Sequence, residues 1–334
     1  MMALLSVCLS MSGLLQIAGS EKSSPSAPIL SPELVTLAVI GGAGDQWIQE
    51  VGFLPDGKIY GKGGGGHFTV LYAANGAKCL GISGDLNTAS TGPQGETWAN
   101  GGSTTKSPTD GSSLTIGYKQ VAKNLQQPYL SSKGGWKWWD WTEKEADSLR
   151  ADSRGVRVQF LPGGRFLAKC WTDGGNSTLT RDPRDISKPN PATKDAAVMK
   201  GAGGSATLYI IGDDKSGSPL CGTFMKHRPQ AETFDASGRI FVAQHVGDQT
   251  KDGPKGFGLG GEAGFCVLDA GLSRVLFTTS LGPGRANSIA IHNGLCVVGG
   301  GVPADGAGSL QQRNPAQPKP GGGQDAFIAI IRLW

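Results

Sequence analysis

From Leu34 onward the chain is a series of short apolar–polar alternations, each broken by a polar turn that carries glycine. One unit recurs. It appears as Val51-Gly52-Phe53-Leu54-Pro55-Asp56-Gly57-Lys58-Ile59-Tyr60, and returns from Val156 to Leu167, from Glu232 to Val242 and from Ser288 to Val297. Alternation at period two on both flanks of a Gly-bearing turn predicts a β-hairpin in each case. The turn glycines are Gly57, Gly164, Gly238 and Gly294, and a weaker fifth turn, Asp110-Gly111, splits the first gap nearly in half. The period is then about 50 to 56 residues, on the scale of propeller blades. The gap between Gly164 and Gly238 is longer because it holds an insertion near 173–200, rich in Asp, Pro, Asn and Lys.

A second strand pair follows several of these hairpins. Phe68 to Tyr72 pairs with Lys78 to Ile82, Thr207 to Ile211 with Leu220 to Phe224, and Gly264 to Asp269 with Arg274 to Thr279. Four strands per repeat predict an all-β fold, a β-propeller of five blades, or of six if the inserted gap hides one. The C-terminal run Asp325 to Trp334 reads as the third strand of a blade with no fourth. Leu34 to Gly42 reads as a fourth strand with nothing before it. Pairing the N-terminal strand with the C-terminal strands closes the ring and removes two free sheet edges.

Composition narrows the alternatives. The 334 residues include 54 Gly and 19 Pro, with no Gly at every third position, so collagen is excluded. Helical bundles need far more residues at helical period. Charged residues are 17%, and 31 Lys and Arg against 27 Asp and Glu leave +4. That excess is dispersed, with no basic run, so nucleic acid is not an expected partner.

Residues 1–20 carry no charged side chain, and Ala18-Gly19-Ser20 supplies small residues before Glu21-Lys22. This reads as a cleaved signal peptide, followed by a Ser/Pro-rich linker over 21–33 and a single propeller domain over 34–334. The expected location is secreted, periplasmic or cell-surface, with no integral membrane span after cleavage. Beyond Cys8, the cysteines are Cys79, Cys170, Cys221, Cys266 and Cys296, with no CxxC. Most sit in apolar runs, as buried small hydrophobes do.

The stretch Gly41-Gly42-Ala43-Gly44-Asp45, followed by Pro55-Asp56-Gly57-Lys58-Ile59-Tyr60-Gly61-Lys62-Gly63, resembles the bacterial SBBP-type β-propeller repeat. Gly323-Gln324-Asp325-Ala326-Phe327-Ile328-Ala329 is similar to that repeat's third strand, and Thr278 to Gly282 to its fourth-strand exit. The match is clear in the first and last repeats, partial from Val156 to Gly282 and poor from Ile82 to Arg154. The resemblance implies an exported propeller. It implies no one activity, because fold does not fix function.

Trp136, Trp138, Trp139 and Trp141 are candidate ligand-binding residues, either a flat platform for a sugar ring or aromatic packing between blades. Asp45, Asp140 and Asp325 are candidate channel carboxylates of the kind that act in pairs on glycosides or lactones. His67, His227, His245 and His292 have no metal-ligand spacing, and the oxygen-rich insertion lacks EF-hand spacing, so no metal and no cofactor are expected. Gly63 to Gly66 and Gly256 to Gly261 lack the P-loop Lys-Ser/Thr, and no GxSxG occurs. The functional expectation is a non-enzymatic binding module holding a carbohydrate or protein partner on its loop face. The alternatives are a propeller hydrolase or lyase acting on carbohydrate or lactone, and a structural surface protein.

Overall fold

The computed structural model describes residues 30–87, 102–107, 110–122, 125–226, 229–245, 256–257, 259–307, 310–317, 321 and 323–334. The expected signal peptide, most of the linker and His227 lie outside these residues. The described chain is all-β.

After β1 (Glu33–Ile40), a first sheet holds β2 (Ile48–Phe53), β3 (Ile59–Gly63), β4 (Phe68–Tyr72) and β5 (Cys79–Gly84). The second holds β6 (Gly102–Lys106), β7 (Ser113–Ala122), β8 (Leu125–Ser132) and β9 (Lys137–Trp138). The third begins with β10 (Ser153–Leu161) and β11 (Arg165–Thr172). A separate hairpin, β12 (Arg181–Asp182) with β13 (Asp185–Pro189), interrupts it before β14 (Ala206–Asp213) and β15 (Pro219–Lys226). The fourth holds β16 (Ala231–Phe234), β17 (Ile240–His245), β18 (Ala263–Leu268) and β19 (Val275–Gly282). The fifth joins β20 (Arg285–His292), β21 (Leu295–Val302) and β22 (Asp325–Arg332) to β1, so the first strand pairs with the last. All these pairings are antiparallel. Arg332 Nη1 bonds to Glu33 Oε2 at 2.6 Å at one end of that junction.

Local chemistry explains the hairpins. Gly57, Gly111, Gly164, Gly238 and Gly294 all adopt positive φ, between 69° and 81°, where a side chain would be strained. In three of these turns an aspartate precedes the glycine and accepts a backbone N–H two residues on. The pairs are Asp56 with Lys58 (3.1 Å), Asp110 with Ser112 (3.0 Å) and Asp235 with Ser237 (2.9 Å).

Burial orders the sheets. One apolar cluster joins the second and third sheets through Leu114, Ile116, Leu130, Trp138, Phe166, Ala168 and Leu208. Another joins the third and fourth through Leu167, Tyr209, Ile211, Val242 and Cys266. The fourth meets the fifth through Phe241, Phe265, Val298 and Phe327, and the fifth meets the first through Ile40, Ile48, Val70 and Ile328. The third, fourth and fifth sheets are therefore covered on both faces, and β14, β18 and β22 bury nearly every residue. The first sheet is covered on one: in β4, Phe68, Val70 and Tyr72 are buried while Thr69 and Leu71 are half-open.

The outer edges are managed as well. In the third, fourth and fifth sheets a residue of the connection between the second and third strands bonds to that sheet's own edge strand. Phe224 N–H donates to Met199 O (3.0 Å) on β15, and Gly256 N–H to Thr278 O (2.7 Å) on β19. Leu37 and Arg313 exchange bonds of 3.0 and 2.9 Å on β1. These connections satisfy edge groups that would otherwise template aggregation.

One polar network crosses a sheet seam. Glu232 of β16, with its side chain 1% exposed, accepts from Lys169 Nζ (3.1 Å) and Tyr209 OH (3.1 Å), and Arg157 Nη1 lies 3.5 Å from its other oxygen. Removing one partner strands a buried charge. Glu232→Leu is expected to cost about 3–5 kcal/mol in urea unfolding. Adding Lys169→Met should recover most of that loss. Equal losses for the single and double variants would contradict this account.

Candidate functional site

Each sheet has a leading strand, the first to enter it in chain order: β2, β6, β10, β16 and β20. Contacts across two seams show that β2 and β20 start at a shared end, and that β6 and β10 do too. Ile48 packs at Gly299 and Trp47 at Gly301, near the start of β20's partner ladder, and Gly155 sits against Ile116 and Gly117. At the opposite end the ring of Phe53 meets that of His292 at 5.2 Å.

Three leading strands carry a bulge. Register slips between Ile48 and Glu50, between Gly155 and Arg157, and between Ala286 and Ser288. A bulge leaves one residue out of the alternation and re-aims its neighbours. In β20 the extra residue is Asn287, and neither of its amide atoms finds a partner.

Asn287 belongs to a larger group. Buried side-chain atoms without a hydrogen-bond partner occur at Gln127, Trp139, Thr178, Gln244, Asn287, Ser288 and Asp325, and apart from mid-strand Ser288 each lies toward the end of its own sheet where that sheet's leading strand begins. Asp214, just past β14, is the exception at the other end. Gln127 and Gln244 are fully buried, and each has both amide atoms unpartnered. Groups of this kind are uncommon in folded proteins and call for an explanation.

Two of the three carboxylates singled out in the sequence come together here. The segment leading into β22 is bonded to the one that follows β1: Gln46 N–H donates to Gln324 O (2.7 Å), and Gln324 N–H to Asp45 Oδ1 (2.8 Å). Asp325 is 3% exposed and tucked under Gly41, where a Cβ would fall 1.8 Å from its Oδ1. Only glycine permits that approach. Burial raises the Asp325 carboxyl above the ordinary carboxylate range, opposed by a backbone N–H at Gly321. Asp140 lies apart, on the second sheet. Lys137 Nζ (2.9 Å) and Lys119 Nζ (3.0 Å) hold its carboxyl below the ordinary range, so it stays ionised and poorly suited to donating a proton.

The tryptophan stretch packs inward. Trp138 and Trp139 are fully buried and Trp141 is 8% exposed, while Trp136 is half-buried. Trp136 stacks on Phe166 at 5.3 Å, and Trp138 meets Trp139 edge-on at 5.3 Å. Trp136 and Trp138 donate their indole N–H groups to Asp214 O (3.1 Å) and Gly217 O (2.7 Å), across the seam to the third sheet. Strand alternation stops at Trp138, and Trp139 adopts φ of 53°. The four rings thus form no flat open surface.

His292 packs on Phe53, and among the described residues no group of three or more His, Cys, Asp or Glu could hold a metal ion. Cys170, Cys266 and Cys296 are buried free thiols, and burial raises Cys266 to about 12. No helix of the described residues is long and apolar enough to cross a membrane.

No family model and no curated protein matches this chain, so the SBBP-type resemblance stands on its motif residues alone. Among solved structures, a calcium-binding protein, regucalcin, of Agrobacterium tumefaciens is similar at 11% identity and a TM-score of 0.31. The match covers 88% of this chain and 94% of that one. A likeness that distant says nothing about chemistry.

Two outcomes follow. Trp138→Ala is expected to cost about 3–5 kcal/mol in chemical unfolding, as a large core truncation does. Asp325 has a raised folded pKa, so its ionisation opposes folding at neutral pH and ceases to do so as pH falls through that value. Asp325→Asn should therefore melt higher than the parent at pH 7, with the difference fading near pH 3. A lower melting point at pH 7 would show that the carboxylate has a stabilising partner.

Proposed function

We propose that the five sheets are the blades of one exported β-propeller, closed by the β1–β22 pairing, and that its role is to bind a ligand where the leading strands begin. The observation that carries the binding role is that the second, fourth and fifth sheets each hold unpartnered buried polar atoms toward the start of their leading strands. Gln127, Gln244 and Asn287 offer both donors and acceptors, as recognition of a hydroxylated or amide-bearing ligand requires. The seam clusters support the blade reading: the second sheet packs on the third, the third on the fourth, the fourth on the fifth and the fifth on the first. Export rests on the uncharged, small-residue-terminated N-terminal sequence.

A hydrolase or lyase acting on carbohydrate or lactone is a second reading. One observation favours it: the raised carboxyl of Asp325, a property suited to a proton donor. Asp45 and Asp140 add less, the first occupied by Gln324 N–H and the second by two lysines.

Small-angle scattering of the full chain should give a radius of gyration of about 20 Å, the value for a compact chain of this length. A thermal-shift panel of neutral sugars, carboxylates and peptides should find at least one stabilising class. No stabilisation by any class, from a chain of the expected radius, would sink the binding role and leave the architecture.

A further inference from the structure

We infer that β5, the outer strand of the first sheet, pairs antiparallel with β5 of a second copy of this chain across a two-fold axis, joining two four-stranded sheets into one of eight. The inference rests on the strand order β2-β3-β4-β5 and is independent of the ligand-binding role.

The sheets differ in how their outer edges are treated. β5 ends its sheet. Its ladder with β4 runs from Phe68 opposite Gly84 to Tyr72 opposite Cys79, and among the described residues no strand lies on its other side. Its outward N–H and C=O groups are therefore open to an incoming strand. In the third, fourth and fifth sheets, Met199, Gly256 and Arg313 bond to the edge strand, and each belongs to a long connection, residues 173–205, 246–262 and 303–324. The matching connection of the first sheet is residues 64–67, a single 3-10 turn and His67, all spent on reversing the chain from β3 into β4. The second sheet has a short connection too, but its edge strand β9 is only Lys137 and Trp138, and Trp138 is fully buried. Among the described residues, β5 is the full-length edge that the chain leaves uncovered.

The residues of β5 fit a second copy of themselves. Cys79-Leu80-Gly81-Ile82-Ser83-Gly84 holds no charged residue and no proline, the usual means of repelling another strand. Leu71 pairs with Gly81 and Tyr72 with Cys79, so Leu80 is the extra residue of a bulge. A bulge can blunt an edge. Here the extra residue is an apolar side chain 45% exposed, and Gly81 to Gly84 beyond it keep a regular register. Opposite charges flank the strand: Lys78 stands just before it and Asp85 just after, both exposed. In an antiparallel pair centred between Gly81 and Ile82, Lys78 of each copy lies opposite Asp85 of the other, and Leu80 opposite Ser83. A parallel pair in register would set like charges side by side instead. The charge order is thus self-complementary about a two-fold axis, and an isologous contact of that kind closes at two copies.

The test is sedimentation velocity of the full chain over a concentration series, with amide exchange of β5 followed alongside. A monomer–dimer equilibrium is expected, and exchange in β5 should slow as the dimer fills. Lys78→Asp and Asp85→Lys should each weaken the dimer tenfold or more. The double variant, Lys78→Asp with Asp85→Lys, restores opposite charges across the axis and should recover the parent affinity. Melting points taken where the parent is monomeric should be unchanged in all three, which separates lost pairing from lost folding. Leu80→Lys, which adds a charge to the edge, should abolish the dimer. A monomer at every concentration up to about 1 mM would overturn the inference. So would a dimer that the charge variants leave intact, because it would lie on another surface, or a double variant that fails to recover pairing. Growth beyond two copies would contradict the two-fold contact. Slow exchange of β5 in a monomer would place another segment of the chain on this edge and overturn it as well.

Discussion

The constraint on which the rest depends is that no single four-stranded sheet here can bury its own faces. A sheet of four strands cannot cover its own apolar face, which must find another sheet. The third, fourth and fifth sheets carry near-continuous apolar strands, such as Ala326 to Ile331, and each is sandwiched between neighbours. Close approach at these seams is what the small residues serve. Gly299 and Gly301 leave room for Ile48 and Trp47, and Gly155 for Ile116. The glycine content is thus spent in two places, turns and seams, and only the first is visible as a turn signal.

The polar features follow from the same burial. Once faces close, any side chain that ends in a seam must be satisfied or must remain costly. The Lys169–Glu232–Tyr209 group is satisfied. Gln244, one step along the same seam, is not. That contrast separates a group that holds two sheets together from one that the fold leaves unsatisfied.

Much of the architecture was legible in the residues. The turn glycines, the second strand pairs and the pairing of the first strand with the last all follow from period-two alternation and turn chemistry. The second sheet was least legible: Gly102–Lys106 is polar and short, and Leu125–Ser132 contains a proline and no alternating apolar run. The tryptophans were ambiguous because composition cannot say whether a ring faces solvent or a neighbouring sheet; the observed burial depends on Phe166 and Gly217, far away in sequence. Asn287 was missed altogether. It is the extra residue of the β20 bulge, and a bulge changes register without leaving a distinctive residue type behind.

The pairing of β1 with β22 has a consequence in time. Glu33 meets Arg332 across 299 residues, so the β1–β22 ladder demands long-range closure. Until β22 is in place, Val39 and its neighbours have no ladder partner, and the fourth and first sheets lack part of their cover. Such late, long-range closure is slow in principle and leaves apolar edges open to other chains meanwhile. The β1–β22 closure is therefore a point of assembly hazard.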